Sequence, residues 1–366
     1  MLNTSNFQPN WTSAPGSTIL DILKERDISL DAFARKIGKT KDFVENLISG
    51  ENEITEELSR KLSENLGSSI DFWLRREFQY REDLVRLKQV AERSWLKLLP
   101  IADMVKYGWI NDEVSKSVKS LLNYFAVDSI NEWHLKYEAE MAQVSFRTSS
   151  SFKQQPAAVA AWLRQGEIQS EPIKCAPWNP NLFQHTLIEI KKLTKIKDPV
   201  DFLPKLAQLC SKCGVAIAIA KTPNGCQASG VTKFLTPERA LIMLSFRYLT
   251  DDHFWFTFFH EAGHLLLHGQ RSVFVEEVGK DRLISREEEE ANQFAAEMLI
   301  PNHLRPEMMK LAVSNKRSII GFAATAGVSA GIVIGQLQHA GRVQYSRMNS
   351  YKRKYIWENM PTNINP

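Results

Sequence analysis

The sequence predicts a multidomain, mainly α protein: an N-terminal helical bundle, a helical middle region, and a C-terminal α+β domain with a small antiparallel sheet. Three observations carry this expectation. At 366 residues the chain is too long for one ordinary core, given a prior of about 150 residues per domain. From Gly16 to about Leu74 apolar residues recur at helical spacing, as at Ile19, Leu20 and Leu23 and at Phe43, Val44, Leu47 and Ile48. After Gly214 the pattern changes to short β-type runs and then returns to helices.

Taken in order, residues 1–15 are polar with two prolines and read as a loose leader. Residues 16–85 hold the short amphipathic segments Ser17–Arg26, Leu30–Ile37, Lys41–Ile48, Glu56–Leu66 and a run from Ile70 onward. Ser29, Thr40 and Thr55 precede helical runs as caps, while Gly38, Gly50 and Gly67 follow them as stops. Residues 86–180 read as a helical connecting region, with polar interruptions at Arg147–Gln155 and Lys174–Asn181. Residues 181–345 form the C-terminal domain, in which the runs Val215–Ala220, Gly230–Leu235 and Leu241–Phe246 predict three strands. Pro223-Asn224-Gly225 and Thr236-Pro237-Glu238 separate them, and such tight connections lead us to expect an antiparallel sheet. Helices are expected at about 252–268, 286–299 and 306–339, and residues 346–366 as a basic tail.

With 43% hydrophobic and 24% charged residues the composition is that of a globular protein, which excludes wholesale disorder. The start lacks the pattern of a signal peptide, and no run reaches the roughly 18 apolar residues of a membrane span. A cytoplasmic protein with no membrane partner is therefore expected. Cys175, Cys210, Cys213 and Cys226 are too few for a disulfide framework and fit free thiols in a reducing compartment. The Cys210–Cys213 spacing has no second pair and reads as two packed thiols.

The chemistry concentrates in His260-Glu261-Ala262-Gly263-His264. Residues four apart stack on a helix, so His260 and His264 can face one ion while Glu261 points at the neighbouring coordination position as a base. The flanking Phe254–Phe259 and Leu265–Leu267 runs make this helix apolar on all sides, hence buried, with Asp251 or Asp252 capping its start and Gly269 ending it. A catalytic zinc ion needs a third protein ligand. On the helix holding Glu287-Glu288-Glu289-Glu290, the apolar face is set by Ile284, Ala291, Phe294, Ala295, Met298 and Leu299. At about 100° per residue Glu288 lies roughly 40° from its centre, Glu287 roughly 60° off on the other side, and Glu289 and Glu290 point towards solvent. Asn292, one turn beyond Glu288, is placed to hydrogen-bond a ligand. His268 is expected to bond a backbone carbonyl at the helix end rather than an ion.

These motifs, with the continuation Phe294-Ala295-Ala296-Glu297-Met298-Leu299-Ile300-Pro301 and Thr257 ahead of them, resemble the ImmA/IrrE family of zinc metallopeptidases over roughly residues 180–345. The resemblance implies a gluzincin-like fold, Zn2+ on His260, His264 and Glu288, Glu261 as general base, and a repressor or other regulatory protein as substrate. Strand Gly230–Leu235 is a candidate for pairing with a substrate backbone.

Residues 29–48 have the spacing of a helix-turn-helix: a helix, a turn at Gly38 and a second helix capped by Thr40. With Pro15-Gly16 before it and Phe72-Trp73-Leu74 after, the module resembles the HigA-type antitoxins of the lambda-repressor-like (XRE) family. That resemblance implies DNA contact through Lys39, Thr40, Lys41 and Asn46, and a homodimer is a candidate assembly. Against it, residues 1–90 hold 13 basic and 15 acidic side chains, a net charge of −2 where phosphate binding favours the opposite sign. Two functional readings follow: a zinc endopeptidase targeted by its helix-turn-helix, or a transcription regulator or antitoxin of a toxin–antitoxin pair whose zinc domain is structural or sensory.

Overall fold

The computed structural model describes residues 9–145, 155–269, 274–275 and 286–360. Parts of the expected leader, of the polar stretch after Arg147 and of the basic tail lie outside the described residues, as does Ile284. The chain divides into two compact units, residues 1–97 and 98–366.

The first unit is helical. It comprises α1 (Pro15–Glu25), α2 (Leu30–Ile37), α3 (Lys41–Ser49), α4 (Glu56–Leu66) and most of α5 (Ile70–Leu98). Local chemistry sets the ends: Ser29, Thr40 and Thr55 side chains accept from the backbone N–H groups of Ala32, Phe43 and Leu58, each satisfying a donor the helix leaves open. Gly38 ends α2 at φ 66°, a left-handed conformation that turns the chain sharply into α3. Ile19, Leu23, Phe33, Ile37, Val44, Leu47, Leu58, Leu62 and Trp73 close over one core.

The second unit opens with α6 (Ile101–Lys106), α7 (Asp112–Ser115), α8 (Val118–Phe125), α9 (Ile130–Ser145), α10 (Pro156–Ser170), α11 (Pro180–Leu193) and α12 (Pro199–Ser211). Proline begins α10, α11 and α12, where its missing N–H costs nothing. Then come β1 (Val215–Ile219), β2 (Gly230–Thr236), β3 (Arg239–Leu244), α13 (Asp251–Leu267), β4 (Phe274–Val275), α14 (Arg286–Leu299), α15 (Arg305–Met309), α16 (Lys316–Ala326) and α17 (Ala330–His339).

The sheet is mixed, not antiparallel. Its order is β1-β3-β2-β4. β2 and β3 form the hairpin that the short turn at Pro237-Glu238 requires, but β1 adds to the far side of β3, parallel to it, with Val215 opposite Ala240 and Ile219 opposite Leu244. A parallel pair is stable where both faces are covered. Alternation along the strands meets that condition: Val215, Ile217, Ile242 and Leu244 enter the large core with α11 to α14, while Ala216, Ala218, Leu241 and Met243 pack with Trp162 and Val159 of α10. β2 is an inner strand, because β4 pairs with it at Val231 and Thr232.

The expected helical stretch 306–339 comprises α15, α16 and α17, with Gly327 at φ 78° between the last two. Ile319, Phe322, Ile332, Val333 and Leu337 from these helices lie in the large core. Among the described residues no single helix is long and apolar enough to cross a membrane; α16 and α17 reach that length only as a pair bent by 100°.

The C-terminal segment is tied to the start of α13. Lys352 Nζ meets the Asp252 carboxylate at 2.6 Å, with both side chains under one-tenth exposed. The Arg353 N–H donates to Asp251 at 3.0 Å, and its guanidinium donates to the carbonyls of Thr194, Lys195 and Ile196 at 2.8–2.9 Å. Asp251 and Asp252 therefore anchor this segment instead of capping α13, whose N-cap position, Thr250, makes no side-chain cap.

Candidate metal centre

α13 is buried along almost its whole length, from Asp251 to Leu265. Its apolar residues sit in the large core, so the polar atoms of its middle must be satisfied from within. α14 crosses it closely at Gly263. A Cβ there would lie 3.0 Å from the Phe294 ring and 3.4 Å from Ala291 Cα, so the missing side chain is what lets the two helices approach. Ala291 and Ala295 complete the small-residue face of α14.

That approach brings Glu288 to the paired imidazoles. His260 Nε2 and His264 Nε2 are 3.0 Å apart, and the Glu288 carboxylate lies 3.4 Å from the first and 3.5 Å from the second. All three residues are buried. Burial alone would raise the Glu288 carboxyl, but hydrogen bonds and charge from His260 and His264 outweigh it and hold it well below the usual carboxylate range. Burial pushes the His264 imidazole down to about 4 despite its contact with Glu288. Two imidazoles and a carboxylate, once deprotonated, are ligand types that hold a divalent cation.

The ring nitrogens that face away are also engaged. His260 Nδ1 is 3.1 Å from Asn292 Oδ1, and an amide oxygen there takes the Nδ1 proton and leaves the Nε2 lone pair towards Glu288. His264 Nδ1 is 3.0 Å from His268 Nδ1, and His268 Nε2 is 3.1 Å from Glu290. His268 thus bonds another imidazole and a carboxylate rather than the backbone carbonyl expected of it, while Glu290, 41% exposed, lies towards solvent as its helix position predicts and meets His268 from there. A four-residue interval from His264 to His268 was the available signal for the contact between the two rings.

Glu261 is fully buried on the side of α13 that faces β2. The Thr232 hydroxyl donates to its backbone carbonyl at 3.1 Å. At Gly230 a Cβ would lie 2.7 Å from Glu261 Oε1 and 2.6 Å from Thr257 Cγ2, so any side chain here would push one of these two aside. β2 is therefore the strand that walls this carboxylate, and β4 already holds its outer edge at Val231 and Thr232. Further up α13, Tyr248 stacks on His253 at 4.3 Å, and Arg247 donates to the Gln227 carbonyl.

In the first unit the residues read as DNA contacts are placed as follows. The Thr40 hydroxyl is engaged in capping α3, Lys39 Nζ sits over the Phe43 ring at 5.0 Å, Lys41 is 3.6 Å from Glu45 with both half exposed, and Asn46 is exposed.

Comparison with known families agrees with this division. The family model for the IrrE N-terminal-like domain, of the peptidase family M78, matches residues 216–337, and the helix-turn-helix family model matches residues 19–73. The chain carries an IrrE-like peptidase domain behind an XRE-type helix-turn-helix. The IrrE-like match spans β1 to α17 and so contains the His260, His264 and Glu288 cluster. This is a metallopeptidase family. Among solved structures, a protein from Nostoc punctiforme PCC 73102 described as an antidote of a plasmid maintenance system shares 28% identity, over 22% of this chain and 88% of that one, with a TM-score of 0.20. No curated relative matches the chain.

Proposed function

We propose that the chain is a zinc-dependent, gluzincin-type endopeptidase that cleaves a regulatory protein, repressor or antitoxin-like, with residues 16–85 directing it to DNA or to a DNA-bound substrate. His260, His264 and Glu288 are the ligands, Glu261 is the general base, and Asn292 orients His260. The observation that carries this reading is the donor triangle. A tetrahedral ion with bonds of about 2.0–2.1 Å holds its ligand atoms roughly 3.3 Å apart; here the two imidazole nitrogens are 3.0 Å apart, each has its own Glu288 oxygen at 3.4 or 3.5 Å, and one donor atom from each of the three residues lies within 4.8 Å of the other two. Two nitrogens and one carboxylate also form the ligand set of known catalytic zinc sites, in which a fourth position stays open.

A zinc ion held by these three residues would acidify a water molecule at the open position and polarise a carbonyl oxygen. Glu261 then does the proton work of this chain. Its carboxylate accepts a proton from the attacking water and delivers it to the departing amine nitrogen, so that amide cleavage releases a neutral amine. Burial of α13 keeps bulk water from the base, and the absence of a side chain at Gly230 lets β2 pass against it without displacing it.

The test uses the purified full chain. Metal analysis is expected to give one zinc per chain, and Glu261→Gln to retain that zinc, lose cleavage and capture the substrate in a pull-down. A chain that holds no zinc after purification and reconstitution removes the enzymatic reading.

A further inference from the structure

His268 and Glu290 belong to no part of the proposed mechanism, yet His268 is turned to the back of the site and the half-exposed Glu290 bonds its ring. The His268 side chain is 7% exposed although it occupies the C-cap of α13, where a histidine ordinarily reaches solvent or a terminal carbonyl. Instead its ring lies between two groups on different helices, His264 Nδ1 at 3.0 Å and the Glu290 carboxylate at 3.1 Å.

Donor and acceptor roles along this line follow from its outer end when the His268 ring carries a single hydrogen. A carboxylate only accepts, so His268 Nε2 carries a hydrogen and donates it to Glu290. In a neutral ring the other nitrogen, Nδ1, then holds a lone pair and accepts. The hydrogen between the two rings must come from His264 Nδ1, which places the lone pair of His264 on Nε2, towards His260 and Glu288. Arg286 Nε holds the opposite oxygen of Glu290 at 2.8 Å and so fixes the carboxylate that starts the sequence.

We infer that Glu290 and His268 are positioning residues that lock His264 in the tautomer able to ligate the metal, by a relay of two hydrogen bonds running from α14 back to α13. The inference rests on the metal reading above. Asn292 performs the same service for His260 in a single step. The two imidazoles are thus oriented by different chemistry: an amide oxygen for one, a carboxylate acting through a second imidazole for the other.

Zinc(II) affinity of the full chain, measured by competition with a chromogenic chelator, tests this without any substrate. His268→Phe keeps the ring and removes the acceptor, and is expected to weaken zinc by about 10–100-fold. His268→Asn restores an acceptor oxygen close to the position of Nδ1 and is expected to recover most of that loss. Glu290→Ala should weaken zinc several-fold in the parent chain and hardly at all in the His268→Phe background, because its influence passes through the ring. Equal affinity for His268→Phe and the parent overturns the inference, as does an Asn variant no better than Phe, or a Glu290→Ala effect that persists undiminished in the Phe background. If the parent chain binds no zinc, the metal reading fails and this inference with it. Should His268→Phe not fold, the Asn and Glu290→Ala variants decide the matter between them: the inference requires near-parent affinity for the first and a several-fold loss for the second.

Discussion

Gly230→Ala separates the base from the metal. The added methyl would start 2.6 Å from Thr257 Cγ2 and 2.7 Å from Glu261 Oε1, whereas non-bonded heavy atoms settle at about 3.5–4.0 Å. Something must therefore retreat by roughly 1 Å. Thr257 is buried on α13 and has little room, and β2 is held on both edges at this end of the sheet. The long Glu261 side chain is the cheapest part to move. A base displaced by about 1 Å costs on the order of 100-fold in rate, equivalent to about 2.7 kcal/mol of transition-state stabilisation. The ligands lie elsewhere, so zinc affinity should stay within about threefold of the parent, and overpacking should lower stability by about 1–3 kcal/mol. The assay is cleavage of the protein captured by Glu261→Gln, with zinc affinity and thermal unfolding measured on the same preparation. Turnover within threefold of the parent, or zinc lost along with turnover, refutes the placement of Glu261 as the base walled by β2.

Other outcomes are expected on the same material. Glu261→Gln should keep its zinc while turnover falls by about 10²–10⁴-fold; a variant that still cleaves at more than a tenth of the parent rate removes Glu261 from the mechanism. Chelation should lower Tm, since zinc at a thousand times its Kd stabilises by about 4 kcal/mol, worth roughly 8–16 °C for a domain of this size; identical melting with and without chelator contradicts a resident metal. Lys352→Met leaves the Asp252 carboxylate buried without its ammonium and should cost about 3–5 kcal/mol, read by denaturant unfolding; a loss below 1 kcal/mol shows that the pair is not an anchor. If residues 16–85 bind DNA, Lys41→Ala should weaken binding and reduce the salt slope by about one, and a band shift insensitive to this change excludes the face proposed for contact.

Where the sequence was legible, the reason is local chemistry. Ser29, Thr40 and Thr55 cap the helices they precede, and Gly38 and Gly50 end the helices they follow, because capping is decided within four residues of chain. The strand segments were also readable, yet their order was not. Turn length fixed the β2–β3 hairpin, but the place of β1 depends on α10, whose Trp162 donates to the Ala220 carbonyl at 3.1 Å from a part of the chain read only as helical. α10 buries the entire Ala157–Leu163 run, so it has no amphipathic stripe from which a partner could be inferred. At the metal centre, helical spacing paired His260 with His264, and the apolar face of α14 singled out Glu288 with Glu287 close behind. The contacts of His268 with Glu290 and of His260 with Asn292 arise from the crossing of α13 and α14 at Gly263. Periodicity within one helix cannot reveal a distance between two.

The segment around Lys352 and Arg353 alters what should be counted as the catalytic body. The family match stops at residue 337, but a polypeptide ended there would strip three carbonyls after α11 of their guanidinium and leave an acidic pair beneath α13 without its cation. The smallest fragment able to hold the site helix in place must therefore extend past Tyr355, whose ring packs on Phe202 and Phe246. Two of the positive charges near the end of the chain are consequently spent on internal architecture, which leaves that end less able to hold an anionic partner than its composition suggests.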